Sequence, residues 1–184
     1  MIHHTVVTRP DVRVRLVPAT VADAPRMYAA LVPEATKNLS FFSTENSLDR
    51  QRAFLEKIEK SQSDMLFVVE LVADGSAVGT IGLHEFDHAN RNARLGALIF
   101  QPADRGKGYN HDATQLLFRY AFTELRLHKI YVRVLKRNEK AVAKHLRMGF
   151  QIESTFREEY LLDGEYLDMI GLSLLDREWA TTQK

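Results

Sequence analysis

The feature that most constrains the fold of this chain is a glycine-rich basic turn between an apolar run and an amphipathic segment. The turn is the hexapeptide Arg-Gly-Lys-Gly-Tyr-Asn at residues 105–110, and the apolar run is residues 93–100, which Gln101 and Pro102 close. Proline cannot donate to a β-ladder, so the strand is predicted to end there. Beyond the turn, apolar residues recur with the spacing of one helical face: Ala113, Leu116, Leu117, Tyr120 and Ala121. The pattern predicts a strand, a tight turn and a helix in that order.

Such a turn is suited to binding a phosphate group. A glycine turn that enters a helix presents unpaired backbone N–H groups and the positive end of the helix dipole to one point. The candidate binding residues are Arg105, Gly106, Lys107, Gly108, Tyr109 and Asn110. The third glycine of G-x-G-x-x-G is missing and no G-x-x-x-x-G-K-[ST] is present, which disfavours the nicotinamide and nucleotide-triphosphate classes.

A second motif follows a strand predicted at residues 129–136. Asn138 and Ala141 begin a helical stretch that runs into Gly149 and Phe150. The two motifs resemble the R/Q-x-x-G-x-G/A loop and the N-x-x-A…G-F element of the GCN5-related N-acetyltransferase (GNAT) superfamily. Residues 157–172 resemble the hairpin of the branch that includes the ribosomal-protein N-terminal and spermidine acetyltransferases. The resemblance extends from about residue 12 to Trp179.

The resemblance implies an α/β (α+β) fold in a single GNAT-like domain, with a mixed, mostly antiparallel central sheet flanked by helices. We expect that domain over residues 12–184, after an N-terminal extension of residues 1–11. A chain of 184 residues with 45% hydrophobic residues is long enough to bury one core. Three strands, near residues 65–73, 77–86 and 93–100, are predicted to form an antiparallel meander, with Asp74 and Gly75 in its first turn.

The resemblance also implies that acetyl-coenzyme A is the cosubstrate and that no metal is required. In the family, the loop at residues 105–110 wraps the pyrophosphate. Backbone groups of Leu98, Ile99 and Phe100 would then hold the pantetheine amides and polarise the thioester carbonyl. Asn138 would contact the pantetheine, although asparagine is also a favoured helix cap.

His145 is the candidate proton donor for the leaving thiolate. It stands seven residues after Asn138, where the family commonly has tyrosine. An imidazole with an ordinary pKa near ~6.5 predicts a sharper loss of rate as the pH rises. The alternative is a packed core histidine on one helix face with Val142, Leu146 and Gly149.

Glu85 is the candidate general base. The position two residues before Gly96, often Glu in this branch, is Arg94 here. Glu85, His84 or Asp87 is expected to replace that carboxylate, and a solvated strand end is the alternative. Strand alternation places Glu85 and Asp87 on one side of the sheet, and His84 and Phe86 on the other.

A site without a strong base favours an acceptor amine of low pKa. A free α-amine has a pKa near ~8 and an alkyl amine near ~10.4, so the preferred acceptor is the N-terminal α-amine of a peptide or protein. The alternatives are a polyamine or other small-molecule amine, transfer of a longer acyl group, or a catalytically weak acyl-CoA sensor. Residues 34–46, with Phe41 and Phe42, are the predicted acceptor lip.

Composition excludes several other classes of protein. The net charge of +1 comes from interspersed charges, so neither nucleic acid nor membrane is an expected partner. The chain has no cysteine, which excludes a cysteine acyl-enzyme and makes direct transfer the expectation. No apolar run is long enough for a signal peptide or membrane span, so a cytoplasmic protein is expected. A sheet edge after Leu175 is a possible homodimer contact.

Overall fold

The computed structural model of the protein describes residues 6–30 and 47–182. Its centre is a seven-stranded sheet with the order β1-β2-β3-β4-β5-β7-β6. The strands are β1 Val14–Pro18, β2 Met65–Leu71, β3 Ala77–Asp87, β4 Asn92–Ile99, β5 Lys129–Leu135, β6 Gln151–Leu162 and β7 Glu165–Leu175. The predicted acceptor lip at residues 34–46 lies outside the described residues.

Five α-helices in the described ranges flank this sheet. They are α1 Ala24–Ala30, α2 Leu48–Lys60, α3 Tyr109–Arg119, α4 Glu139–Arg147 and α5 Asp176–Thr182. A π turn at Tyr120–Glu124 extends α3, and short 3₁₀ turns lie at Val21–Asp23 and Pro102–Asp104. Among residues 6–30 and 47–182, no helix is long and apolar enough to cross a membrane.

The sheet is mixed and mostly antiparallel, as predicted. β2, β3 and β4 form the predicted meander, and Gly75 in its first turn has a φ of +74°. β4 and β5 form the parallel pair, whereas the other neighbouring strands are antiparallel. This arrangement confirms the expected fold class.

The C-terminal strands differ from the prediction, and a residue near the N-terminus pairs with β1. β7, which ends at Leu175, pairs with both β5 and β6, so the edge strand there is β6 and the predicted edge after Leu175 is wrong. Val7, which belongs to the predicted N-terminal extension, exchanges backbone hydrogen bonds of 2.9 and 2.8 Å with Leu16. The homodimer and the domain bounds stay predictions.

Local sequence signals start the helices where they were expected. The backbone N–H of Thr20 donates to Asp23 Oδ2 at 2.7 Å, which is one half of a capping box. Ser47 Oγ accepts from the backbone N–H of Arg50 at 3.2 Å and begins α2. Asn138 Oδ1 accepts from the backbone N–H of Ala141 at 3.2 Å and begins α4. Capping therefore fixes the residues at which three helical segments begin.

The two faces of the sheet carry separate hydrophobic clusters. One cluster is buried between the sheet and α3, with Leu116, Leu117 and Phe118 as fully buried members. The other lies under α1 and α2 and includes Leu98 and Phe100. Because β4 contributes to both clusters, its backbone is held firmly between two layers of helices.

Two leucines give a matched pair of helical substitutions that tests this core. Leu117 is fully buried, whereas Leu146 is 43% exposed. Leu117→Ala should lower the free energy of unfolding by about 2–5 kcal/mol, because lost apolar contact and a residual cavity both contribute. Leu146→Ala should change it by less than about 0.5 kcal/mol. Chemical denaturation followed by fluorescence of the single tryptophan, Trp179, measures both, and equal losses would contradict the difference in burial between Leu117 and Leu146.

Candidate active site

The centre of the candidate site is a seam where β4 and β5 separate. These strands pair only from Asn92↔Lys129 to Arg94↔Tyr131. Beyond that point β4 stays with β3 as far as Ile99, and β5 stays with β7 as far as Leu135. In the described part of the chain, β4 thus has no strand partner on its β5 side after Arg94. Unpaired backbone groups need another partner, which a ligand in the seam can supply.

The direction of those backbone groups follows from the β3–β4 pairing. The backbone N–H of Phe100 donates to Val78 O at 3.0 Å, and hydrogen-bonded pairs alternate along an antiparallel ladder. Leu98 and Phe100 therefore direct their main-chain groups to β3, whereas Leu95, Ala97 and Ile99 direct theirs to the seam. Of the three residues predicted to hold the pantetheine, Ile99 is the one whose backbone groups face the seam. The sequence could not give this phase, because alternation fixes it only once the pairing is known.

The glycine loop lies beside the seam and begins α3 as predicted. Gly106 and Gly108 have φ values of +80° and +89°, a conformation that glycine adopts without strain. Gly108 is the N-cap of α3 and no side chain caps the helix, so first-turn N–H groups stay available. A β-carbon on Gly106 would meet nothing within 4 Å, so the loop leaves open space there.

Arg13 holds this loop from the other end of the chain. Its Nη1 donates to Lys107 O at 2.7 Å, and its Nε donates to Asp112 Oδ2 at 2.9 Å. Its guanidinium also lies 5.4 Å from the centroid of the Tyr109 ring. Lys107 in turn pairs with Asp104 at 2.9 Å, and that hydrogen bond raises the pKa of Lys107. The loop is thus braced by charge pairs on both sides.

A half-buried lysine joins α4 to the first turn of α3. Lys144 Nζ donates to Asn110 Oδ1 at 3.2 Å, and burial lowers the pKa of Lys144. Asn110 occupies the position where the family prefers Gly or Ala, and its side chain here has a defined partner. The contact ties the two motif helices together where both approach the seam.

His145 is a buried side chain of α4. It is 5% exposed, and its ring packs edge-on against Phe150 with centroids 5.2 Å apart. Burial, with a smaller effect from Lys144, lowers the pKa of His145 to about 3. A neutral imidazole does not titrate near pH 7, so the loss of rate with rising pH expected from an ordinary pKa does not follow. Nδ1 is buried and has no hydrogen-bond partner among the described residues.

Glu85 lies in a bulge that changes the predicted alternation. Its φ is +55°, and the β3–β4 register shifts between His84 and Asp87. Phe86 packs in the same cluster as Leu83, so the extra residue has turned it away from the face of His84. The prediction that His84 and Phe86 share a face is therefore wrong.

The Glu85 carboxylate is already engaged on both oxygens. Oε1 accepts from Arg94 Nε, and Oε2 accepts from the Tyr131 hydroxyl, each at 2.8 Å. Although burial works the other way, the hydrogen bonds from Tyr131 and Arg94 hold the pKa of Glu85 below its ordinary value. Burial and the bond to Glu85 raise the pKa of Tyr131 to about 12. Glu85 is therefore a weaker base than its position suggested, and it fixes two side chains at the last β4–β5 pair.

Several residues of this site are not apparent from local sequence. Arg13 is 94 residues from Lys107, and Tyr131 is 46 residues from Glu85. Of these residues, Tyr131 is the one that the sequence could have indicated, because it lies in a predicted strand. That strand, β5, pairs with β4, which leads into the glycine loop. The contacts of Arg13 and Lys144 depend on tertiary packing.

Comparison with known proteins agrees with the fold. Residues 13–151 match the family model described as an acetyltransferase (GNAT) domain. The spermidine N(1)-acetyltransferase of Escherichia coli (strain K12) is 34% identical over 123 residues, which are 67% of this chain and 64% of that enzyme. YdaF of Bacillus subtilis (strain 168), a candidate ribosomal N-acetyltransferase, is 38% identical over 109 residues, 59% of each chain. This chain thus spans less than two thirds of the length of these curated relatives.

A solved structure extends the likeness over most of the chain. The spermidine N-acetyltransferase of Vibrio cholerae, determined in complex with CoA and spermine, superposes with a TM-score of 0.82. It is 25% identical, and the superposition covers 91% of this chain and 98% of that one. The matching family model spans the seam, the glycine loop and most of the sheet, and on that ground the chain belongs to the GNAT acetyltransferase family.

Proposed function

We propose that this protein is an acetyl-CoA-dependent N-acetyltransferase whose acceptor is a small-molecule amine of the polyamine class. The observation that carries the proposal is the open β4–β5 seam beside the uncapped, glycine-entered N-terminus of α3. A slot lined by unpaired backbone groups suits the amides of an extended pantetheine arm. The helix N-terminus suits the pyrophosphate at the end of that arm.

The residues present fit acetyl-CoA. Backbone N–H groups of residues 106–110 would hold the pyrophosphate, with Arg105 and Lys107 as nearby positive charges. Backbone groups of Leu95, Ala97 and Ile99 would hold the pantetheine arm. Acetyl-CoA supplies an activated acyl thioester when it is bound. The protein supplies backbone donors fixed in the sheet before binding, which can stabilise negative charge on a carbonyl oxygen.

The relatives support a polyamine acceptor better than the N-terminal α-amine that the sequence favoured. The proteins named above include spermidine acetyltransferases from two bacteria, and one was determined with spermine. On the described part of the β6–β7 side, two carboxylates already have close cationic partners. Glu159 pairs with Arg133 and Glu153 with Lys129, each at 2.7 Å. The acceptor class therefore depends on the relatives more than on a visible acidic patch.

The chemistry of a polyamine places a demand on the site. Removing the proton of an alkyl ammonium of pKa ~10.4 at pH 7 costs about 4.6 kcal/mol, compared with about 1.4 kcal/mol for an α-amine of pKa ~8. A polyamine acetyltransferase therefore needs a group that accepts that proton. Glu85, with both oxygens engaged, is poorly suited to this task.

A second candidate acceptor is the N-terminal α-amine of a protein. The similarity to the candidate ribosomal N-acetyltransferase of Bacillus subtilis favours it. The two acceptors differ in how strongly a base is required, so their pH profiles distinguish them.

Two glycines with the same backbone conformation test the cofactor loop. Gly108 has φ +89°, and a β-carbon there would lie 2.6 Å from Arg13 Nη2; Gly164, in the β6–β7 turn, has φ +85° and nothing within 4 Å. Gly108→Val should weaken binding of acetyl-CoA and desulfo-CoA at least about tenfold, or about 1.4 kcal/mol. Gly164→Val carries similar backbone strain and should leave the affinity unchanged. Isothermal titration calorimetry measures both, and unchanged affinity in the Gly108 variant would remove the loop assignment.

Initial rates of thiol release test the acceptor. With acetyl-CoA at saturation, spermidine should be acetylated with a kcat/KM at least about tenfold above that of a peptide with a free N-terminus, because the polyamine is the proposed acceptor. The reverse ratio would favour the protein N-terminus. Tight CoA binding with no release for any amine would favour the acyl-CoA sensor.

His145→Phe tests the proton-donor assignment. The ring is buried and neutral, so we expect the variant to keep kcat within about threefold and to keep the pH profile of the parent. Steady-state kinetics and CoA titration measure this. A loss of kcat above about a hundredfold with unchanged CoA affinity would instead establish a contact between His145 and the reacting thioester.

A further inference from the structure

An imidazole lies over the β4 backbone where the seam opens. A β-carbon on Gly96 would lie 3.0 Å from His84 Nε2 and 3.1 Å from its Cδ2, so the ring occupies the place of a side chain at that position. Gly96 is two residues beyond Arg94, where the pairing of β4 with β5 ends. By alternation Gly96 shares a face with Leu98, which packs under α1 and α2. His84 therefore reaches the seam from the face opposite α3.

The ring is oriented by a carboxylate from the loop that precedes β2. Asp64 Oδ1 lies 3.0 Å from His84 Nδ1, and Asp64 Oδ2 accepts from Ser61 Oγ at 2.7 Å and from Ser63 Oγ at 3.2 Å. The side chains of His84 and Asp64 are 14% and 21% exposed. An ionised carboxylate can only accept, so Nδ1 carries the proton. The lone pair is then on Nε2, the atom above Gly96.

We propose that His84 is the general base that takes the proton of the acceptor amine, and that Asp64 is the positioning residue that fixes its tautomer. This inference rests on the proposed acetyltransferase function and names the base that the polyamine reading requires. It differs from the sequence expectation, which gave that role to Glu85.

The proton of the acceptor ammonium passes to His84 Nε2, directly or through one water, and leaves the amine nitrogen with a free electron pair. That pair forms the N–C bond to the acyl carbon while the C–S bond breaks, and the sulfur leaves as a thiolate. The thiolate takes up, directly or through water, the second proton, which the nitrogen loses as it becomes the amide. The imidazolium next to ionised Asp64 returns its proton to solvent.

The charges around the ring keep it neutral and able to accept. Burial and then the charge of Arg94 lower the pKa of His84, while Asp64 and Glu85 oppose the change in part. Although burial of Asp64 opposes it, hydrogen bonds from Ser61 and His84 hold the pKa of Asp64 below its ordinary value. The base is therefore in its neutral form at pH 7. We expect kcat/KM to rise with pH as His84 loses its proton, in a range below its ordinary pKa of ~6.5, and then to level off.

Three variants and a matched control test the pair. His84→Gln should lower kcat about 100- to 10,000-fold with CoA affinity unchanged, because a positioned base contributes that range. Asp64→Asn should lower kcat at least about tenfold and alter the acidic limb of the pH profile, which a purely structural role would not do. Gly96→Ala should lower kcat by displacing the ring. His88→Gln is the matched control and should keep the parent rate. His88 Nε2 lies 3.0 Å from Gln62 O, and its ring stacks on Phe86 with centroids 5.7 Å apart.

The outcomes separate this inference from the proposed function. If the parent protein releases thiol with spermidine and His84→Gln keeps both its kcat and its pH profile, the base assignment is overturned. If the parent binds no CoA and acetylates no amine, the proposed function itself fails. Should His84→Gln fold poorly by circular dichroism, the Asp64 and Gly96 variants decide, and parent-like kinetics in both would equally overturn the proposal. Partial rescue of His84→Gln at high pH, where the free amine is abundant, would support it.

Discussion

The separation of β4 from β5 is the constraint on which the rest of this site depends. β4 is hydrogen-bonded to β3 along its length and buried on both faces, so it cannot move to satisfy its free edge. β5 is held equally firmly by β7. The unpaired backbone groups of β4 are therefore already ordered before a ligand binds. No further free energy is needed to order these donors when a thioester is bound. The glycine loop matters because it begins α3 beside that edge.

The two faces of the sheet divide the chemistry between them. α3 and α4 lie on the face of the larger cluster, where Arg13 and Lys144 brace the loop and the first helical turn. His84 approaches from the face of α1 and α2. A cofactor entering between the helices and an amine arriving from the other face would meet at the seam without competing for space. Direct transfer needs no acyl-enzyme in such an arrangement, in keeping with a chain that lacks cysteine.

Sequence reasoning reached the fold and the loop because those signals are local. Glycines at 106 and 108, the caps Ser47 and Asn138, and the hairpin turn each act within a few residues, and each appears where it was predicted. The phase of the β4 backbone was not accessible, because alternation fixes it only once the pairing with β3 is known. The face of Phe86 was not accessible, because one inserted residue at Glu85 reverses the alternation. The contact of His84 with Asp64 joins positions 20 apart and follows from the β2–β3 pairing.

Glu85 and His84 differ as candidate bases in whether an electron pair is free to accept a proton and in how strongly the group binds one. Both lie at the end of β3, and both are near Arg94. The carboxylate is bound by a guanidinium and a phenol, which stabilise its charge and make it a poorer proton acceptor. The imidazole has one nitrogen held by Asp64 and the other directed at Gly96. Arg94 thus weakens two candidates in different ways: it occupies Glu85 directly, whereas it only lowers the pKa of His84 and so keeps Nε2 unprotonated at neutral pH. A cation at the position where this branch often has glutamate is therefore compatible with base catalysis, provided that the base is a neutral group.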